Sequence, residues 1–341
     1  MKPIETERLI LRKFNTDDFQ AVHSYSSSVE NTLYMLFGPN DEAATRSFID
    51  MAIAHTSKSP ITYYTYAVTL AETGELIGGC DLHVSGNEAE IGWLLHRDHW
   101  KKGYGTELGF ALIKFGFDEL KLHRIVANCD AENTGSSRLM TRIGMRKEGL
   151  FYDARTPNKL TDRPYSDQLS YAILRDEWEI QKDVFRLTNL PCEFDGFIQV
   201  PELKDGDLYL VCEKKEEGNT EKKWVPGYKF AICSGGEKIG HCDLRIGYTE
   251  GLYYGGNIGY GIDEPHRGKG YAARACRLLI PVARAHKMVL LLITNDIKND
   301  ASKRVCDKLG AKHVRTARLP EWTDLYQGGQ RFSNVFEWDI V

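Results

Sequence analysis

The chain has 341 residues and a net charge of −4, a length that suits about two domains, each able to bury its own core. Its longest apolar runs, such as Val289-Leu290-Leu291-Leu292-Ile293, fall far short of the ~20 residues needed to span a bilayer, and Met1 to Arg8 has no apolar signal core, so no membrane role and a cytoplasmic location are expected. Residues 1–183 hold 21 basic and 27 acidic side chains (net −6), and 184–341 hold 23 and 21 (net +2); this is no footprint for nucleic acid, and the acidic first half mildly favours a cationic acceptor.

In chain order, Glu7 to Arg12 alternates as a short strand, and Asn15-Thr16-Asp17-Asp18 supplies cap chemistry for a helix to about Ser26. A second helix is predicted over Asp41 to His55. Strands over Tyr63 to Leu70 and Leu76 to His83 flank the turn Glu72-Thr73-Gly74-Glu75 and form a hairpin. A third strand, Glu90 to Leu95, leads into Trp100-Lys101-Lys102-Gly103-Tyr104-Gly105 and then a helix from about Gly105 to Leu120. His123 to Asp130 is a strand, Asn133 to Ile143 a helix stopped by Gly144, and Leu169 to Leu174 a closing strand. The eight cysteines (80, 129, 192, 212, 233, 242, 276 and 306) sit singly, with no Cys-x-x-Cys pair and no His at zinc spacing, so reduced buried thiols and no metal are expected.

The second half repeats this order. Ile77-Gly78-Gly79-Cys80-Asp81-Leu82 matches Ile239-Gly240-His241-Cys242-Asp243-Leu244, and Ile91-Gly92-Trp93 matches Ile258-Gly259-Tyr260. The glycine-rich loop returns as Arg267-Gly268-Lys269-Gly270-Tyr271-Ala272. Asn133-x-x-Ser136 before Ile143-Gly144 returns as Asn299-x-x-Ser302 before Leu309-Gly310. Such ordered recurrence indicates duplication: two tandem α/β domains with mixed sheets, 1–183 and 184–341. The second runs from Leu208 to Cys212 through a charged loop, Glu213 to Lys223, almost directly into Tyr228 to Cys233, so it lacks the two early helices.

These residues resemble the GNAT superfamily of acetyl-CoA-dependent N-acetyltransferases, whose diphosphate signature is Gln/Arg-x-x-Gly-x-Gly/Ala. The second half fits with Arg267, Gly270 and Ala272; the first has Trp100 at the Gln/Arg position, a departure typical of the RimJ/RimL-like branch, which Glu7-Arg8-Leu9-x-Leu11-Arg12, Ile91-Gly92-Trp93 and Tyr171-x-x-Leu174-Arg175-x-Glu177-Trp178 also resemble. The second half is similar to a little-characterised bacterial group of the same superfamily carrying Leu252-Tyr253-Tyr254-Gly255-Gly256. The resemblance implies acetyl transfer from acetyl-CoA to a primary amine: a protein N-terminus, a polyamine or sugar amine, or an aminoglycoside. The duplication by itself predicts that the halves pair pseudo-symmetrically, as homodimers of that superfamily do, leaving the chain monomeric.

A diphosphate needs backbone donors, positive charge and close approach. Gly103, Gly105, Gly268 and Gly270 permit the tight path; the first amides of the following helices, at Tyr104, Gly105 and Thr106 and at Tyr271 and Ala272, donate along a favourable dipole; Lys101, Lys102, Arg267 and Lys269 add charge. By resemblance, pantetheine pairs with the main chain of Leu94, Leu95 and His96, and of Gly261, Ile262 and Asp263, while Leu94 and Leu95 also read as core. Asn133 and Asn299 either bond the pantetheine amide or cap their helices, and Ser136 and Ser302 either reach the cofactor or satisfy local backbone.

Attack on a thioester needs a neutral amine, hence a base. Glu90 is the first candidate, on the strand face of Gly92 and Leu94, with Asp81 and Asp243 next. Many members of the superfamily place a Tyr seven residues after the helix-starting Asn to protonate the thiolate, but Met140 and Cys306 stand there, leaving Ser136 or Ser137 for that role in the first half, or a thiolate that leaves without much help. Cys129 and Cys306 are a remote alternative as acyl carriers. Two further readings stay open: a second half that binds acetyl-CoA without turnover, as a regulatory domain, or a scaffold with no turnover in either half.

Overall fold

The structure is a computed structural model and describes residues 1–56, 59–157, 160, 164–219 and 224–341. It divides into two compact units, Met1–Glu179 and Ile180–Val341.

The first unit runs β1 (Ile4–Glu5), β2 (Leu9–Arg12), α1 (Phe19–Ser26), α2 (Val29–Thr32), α3 (Glu42–His55), β3 (Tyr63–Leu70), β4 (Leu76–Ser85), β5 (Glu88–Leu95), α4 (Tyr104–Lys114), β6 (Arg124–Asp130), α5 (Thr134–Arg142), β7 (Arg146–Arg155), β8 (Ser166–Leu174) and the start of α6 (Arg175–Thr188). The strands make one sheet in the order β1-β2-β3-β4-β5-β6-β8-β7, in which β5 and β6 are the parallel pair. Each side of the sheet is covered. On one, α4 and the helical turn that follows it (Phe115–Glu119) set Leu108, Leu112 and Phe117 against Leu11, Tyr66, Leu82, Ile91 and Ile125; on the other, α1 and α3 set Val22, Tyr25, Ile49 and Ala52 against Ala67. Burial on both faces explains why Thr65–Thr69 reads as a continuous buried run instead of an alternating one. The caps fall where side-chain chemistry placed them: Asn15 accepts from the Asp17 amide, and Asp41 from the Ala44 amide at 2.7 Å.

The second unit contains the end of α6, β9 (Leu203–Asp205), β10 (Leu208–Glu216), β11 (Gly227–Ser234), β12 (Glu237–Arg245), α7 (Glu250–Gly255), β13 (Ile258–Ile262), α8 (Tyr271–Leu278), α9 (Ile280–Ala285), β14 (Leu290–Asp296), α10 (Asp300–Leu309), β15 (Lys312–Arg318), α11 (Asp324–Gln327) and β16 (Phe332–Asp339). Its strands form two sheets, β13-β12-β11-β10-β9 and β14-β16-β15. Between β10 and β11 the described residues hold no helix. The expected charged loop is shorter than the sequence suggested, because β10 continues to Glu216, and the Thr220–Lys223 part lies outside the described residues. Several elements were not anticipated, among them α6, β7, whose side chains are mostly exposed, and α7, which caps its first turn with Thr249.

Candidate active site

The strand preceding each glycine-rich loop parts from its neighbour. β5 pairs with β6 only at Glu88, Ala89 and Glu90; from Ile91 onward the two strands diverge into a wedge. In the second unit the parting is complete, and β13 and β14 share no ladder. There the apex is held by Asn257, fully buried: its amide donates to Leu292 O (2.7 Å), its Oδ1 accepts from Leu292 N (2.9 Å), and its Nδ2 donates to Arg245 O and Gly247 O (3.0 and 2.9 Å).

The hydrogen-bond phase of β4 against β5 decides which main chain faces the wedge. His96 N donates to Ile77 O (2.7 Å), and the register pairs Gly79 with Leu94 and Asp81 with Gly92. Antiparallel alternation then turns the N–H and C=O groups of Leu94 and His96 toward β4, and those of Trp93 and Leu95 into the wedge. The expectation for Leu94 and His96 is corrected accordingly. In the second unit Asp263 N donates to Ile239 O (2.9 Å), so Gly261 and Asp263 likewise face β12, and Tyr260 and Ile262 face the wedge. Leu95 O is already engaged, by Trp100 Nε1 and Asn31 Nδ2, both at 2.7 Å.

Both loops share one backbone path. Trp100 and Arg267 have φ/ψ of −68/156° and −66/157°; Lys101 and Gly268 follow with φ of 60° and 80°, and Gly103 and Gly270 with 86° and 83°. The left-handed turn aims the chain so that α4 and α8 begin with open amides. Thr106 N, however, bonds Gly103 O at 3.1 Å, leaving Tyr104 and Gly105 as the amides that precede the first helical bond; in α8 that bond runs from Arg274 N to Gly270 O (3.3 Å), and Tyr271, Ala272 and Ala273 precede it. Lys101 and Lys102 in the first loop, and Arg267 and Lys269 in the second, add positive charge to the same stretches of chain. The donor set fits a diphosphate.

Asn133 and Asn299 each cap their helix, Oδ1 accepting from Ser136 N and Ser302 N at 3.0 Å. The Ser136 side chain opposes the upward push that burial gives the Cys129 thiol, while Ser302 Oγ lies 2.8 Å from Tyr260 Oη, across the mouth of the second wedge. Tyr260 is a hydroxyl that sequence reasoning missed; the only signal was its place opposite Trp93 in the repeat. Met140 and Cys306 are fully buried. Burial pushes the Cys129 thiol up to about 11 and the Cys306 thiol up to about 12, so neither is poised as a nucleophile.

The acidic candidates separate by environment. Glu90 is exposed at the apex of the wedge, where Oε1 accepts from Asn128 Nδ2 (2.9 Å). Asp81 lies opposite Gly92, over the open part of the wedge; a Cβ on Gly92 would stand 2.8 Å from Asp81 Oδ1. Burial, and then the charge of Glu90, push the Asp81 carboxyl up to about 6, with His83 acting in the opposite sense. Asp243 likewise leans over Gly259, where a Cβ would be 2.3 Å from its Oδ1. Burial raises its carboxyl too, but Arg245 opposes this from 3.0 Å. Asn257 occupies in the second unit the position of Glu90. Among the described residues no group of three His, Cys, Asp or Glu side chains could hold a metal ion, and no helix is long and apolar enough to cross a membrane.

The acetyltransferase (GNAT) domain model matches residues 8–146 and again 202–312. The chain is 33% identical over 177 residues to YnaD of Bacillus subtilis (strain 168), an uncharacterised N-acetyltransferase, covering 51% of this chain and 98% of that protein. It is 36% identical over 157 residues to p20 of Bacillus licheniformis, also an uncharacterised N-acetyltransferase, covering 45% and 87%. A crystal structure of a GNAT-family acetyltransferase from Bacillus anthracis aligns with 36% identity and a TM-score of 0.45 over 51% of this chain and 99% of that one. With a matching domain in each half, the chain belongs to the GNAT family of N-acetyltransferases.

Proposed function

We propose that the first unit transfers acetyl from acetyl-CoA to a primary amine by direct attack, with Asp81 as general base. The observation that carries this is the Asp81 carboxylate lying over Gly92 beside the wedge, with an affinity for protons raised to near neutrality. Acetyl-CoA, the donor used by this family, supplies a thioester carbonyl. The amides of Tyr104 and Gly105 with Lys101 and Lys102 hold the diphosphate, and Trp93 and Leu95 face the pantetheine arm and the carbonyl with main-chain groups. Asp81 takes one proton from the acceptor ammonium, directly or through a water. The Trp93 and Leu95 amides are placed to hold negative charge on the carbonyl oxygen during attack. The second amine proton leaves with the thiol product. The order of preference inferred from sequence, Glu90 before Asp81, is thus reversed: Glu90 raises the basicity of Asp81 and bonds Asn128.

The second unit fits an acetyl-CoA-binding domain without turnover, a regulatory reading. Its loop is complete, yet the Glu90 position holds a structural Asn257, Asp243 is paired with Arg245, and Tyr260 and Ser302 bond across the wedge. Coenzyme A release measured over a panel of amines, with Gly103→Glu and Gly270→Glu compared, tests both assignments. Activity should disappear with Gly103→Glu and persist with Gly270→Glu; full activity in Gly103→Glu would overturn the first.

A further inference from the structure

In the first unit the turn between β1 and β2 grips the glycine-rich loop. Glu107, in the first turn of α4, accepts from Thr6 Oγ1 (2.6 Å), Arg8 N (2.8 Å) and Arg8 Nε (2.7 Å). Arg8 is thereby fixed with Nη1 donating to Lys102 O (3.1 Å), its guanidinium over the Tyr104 ring at 4.7 Å, and Nη2 3.2 Å from where a Cβ on Gly103 would stand. Two of its nitrogens are thus spent on protein, and the third lies on the open side of the left-handed turn.

The second unit builds the same brace with its charges exchanged. Arg274 occupies the helix position of Glu107. Its Nε donates to Asp205 Oδ2 (2.7 Å), at the end of β9, and its Nη2 to Asp207 Oδ1 (3.0 Å), in the β9–β10 turn, with Ser234 donating to Asp207 at 2.6 Å. A brace therefore does not require a cation on the turn. The first unit nevertheless puts its cation there, against the loop glycine.

We infer that Arg8 is a binding and positioning residue of the first unit's phosphate loop, fixing the Lys102–Gly103 turn and presenting Nη2 to the diphosphate of the acyl donor. This rests on the reading of that loop as the acetyl-CoA site. An Arg is suited to the task because its planar fork serves a carboxylate, a carbonyl and a phosphate at once.

The test uses the full chain carrying Gly270→Glu, so that the second loop does not contribute, with melting temperature, kcat and the KM for acetyl-CoA as readouts. Arg8→Met should raise that KM roughly 10- to 100-fold, the effect of one charge-assisted hydrogen bond, with kcat within about twofold, and Arg8→Lys should recover part of the loss. The decisive variant is Arg8→Glu with Glu107→Arg, which copies the polarity of the second unit. It should regain the melting temperature while the KM stays raised. Recovery of both would overturn the inference and leave Arg8 a structural brace. Should that variant not fold, Arg8→Met with Glu107→Met removes both charges together, and a normal KM in it would be equally fatal. Failure of the parent protein to saturate with acetyl-CoA is a distinct result, which would sink the acetyl-CoA reading itself and the inference with it.

Discussion

Trp100 Nε1 donates to Leu95 O at 2.7 Å, and in the second unit Arg267 Nε donates to Ile262 O at 2.9 Å. Indole and guanidinium thus close the same ring between the end of the wedge strand and the loop. Trp100→Arg should therefore keep acetyl-CoA affinity within about threefold, whereas Trp100→Phe, which has no donor, should cost roughly 1–2 kcal/mol in loop stability and raise the KM for acetyl-CoA about tenfold. Equal kinetics for the Arg and Phe variants would show that the bond has no role.

Asp81 makes two opposed predictions. The pH profile of kcat/KM should rise through an acid limb near the folded value of about 6, and Asp81→Asn should flatten that limb and lower kcat by about 10²- to 10⁴-fold. Stability runs the other way. The carboxyl ionises at about its ordinary 3.8 when unfolded and near 6 when folded, so its charge costs the fold nothing well below pH 4 and its full penalty above pH 6, on the order of 2–3 kcal/mol. Asp81→Asn should melt higher than the parent at pH 8 and equally at pH 3.5. A lower melting temperature at pH 8 would refute the buried-charge account.

Gly92 is needed for the space that Asp81 fills. Gly92→Ala places a Cβ 2.8 Å from Asp81 Oδ1 and must displace the carboxylate. We expect kcat to fall at least tenfold while coenzyme A binding, followed by calorimetry, stays within about threefold. Loss of binding with preserved kcat would count against Asp81 as base.

Lys101 holds φ of 60° where the second unit has Gly268. Lys101→Gly removes the strain of a left-handed Cβ, about 1 kcal/mol, but releases unfolded-chain entropy of similar size. Melting should change by less than about 1 kcal/mol, while the loss of a cation weakens acetyl-CoA binding in a salt-dependent way. Weakening that is indifferent to salt would point to backbone disorder instead.

Asn257 satisfies five main-chain groups in a site with no solvent exposure. Asn257→Ala strands several of them, and a loss of at least about 3 kcal/mol is expected in denaturant titration of the second unit's transition. A loss below about 1 kcal/mol would mean that the apex of that wedge is held elsewhere.

Much of the fold was legible because caps, turns and apolar periods are local. Asp41, Asn133 and Gly144 mark their helices by their own chemistry, and the repeat exposed both loops. The unread parts depend on register or on distance along the chain. Whether Leu94 or Leu95 turns its main chain into the wedge depends on how β4 and β5 align across Gly86-Asn87, a detail that composition does not carry. Glu90 and Asp81 look alike as strand acids; only packing shows that one is exposed and the other covered. Arg8 and Glu107 meet from positions 99 apart in the chain. The β7 strand escaped notice because its side chains are mostly exposed and show no apolar alternation.

The exchanged polarity of the two braces bears on ancestry and on engineering alike. If the halves descend from one sequence, a single substitution at either end would have faced like charges across the turn, so the lineage passed through a neutral or mismatched pair before the second change. The hairpins are consequently no longer interchangeable parts. Grafting β9–β10 onto the first unit would set Asp205 and Asp207 against Glu107, and a chimera of these halves needs the hairpin and its helix to travel together.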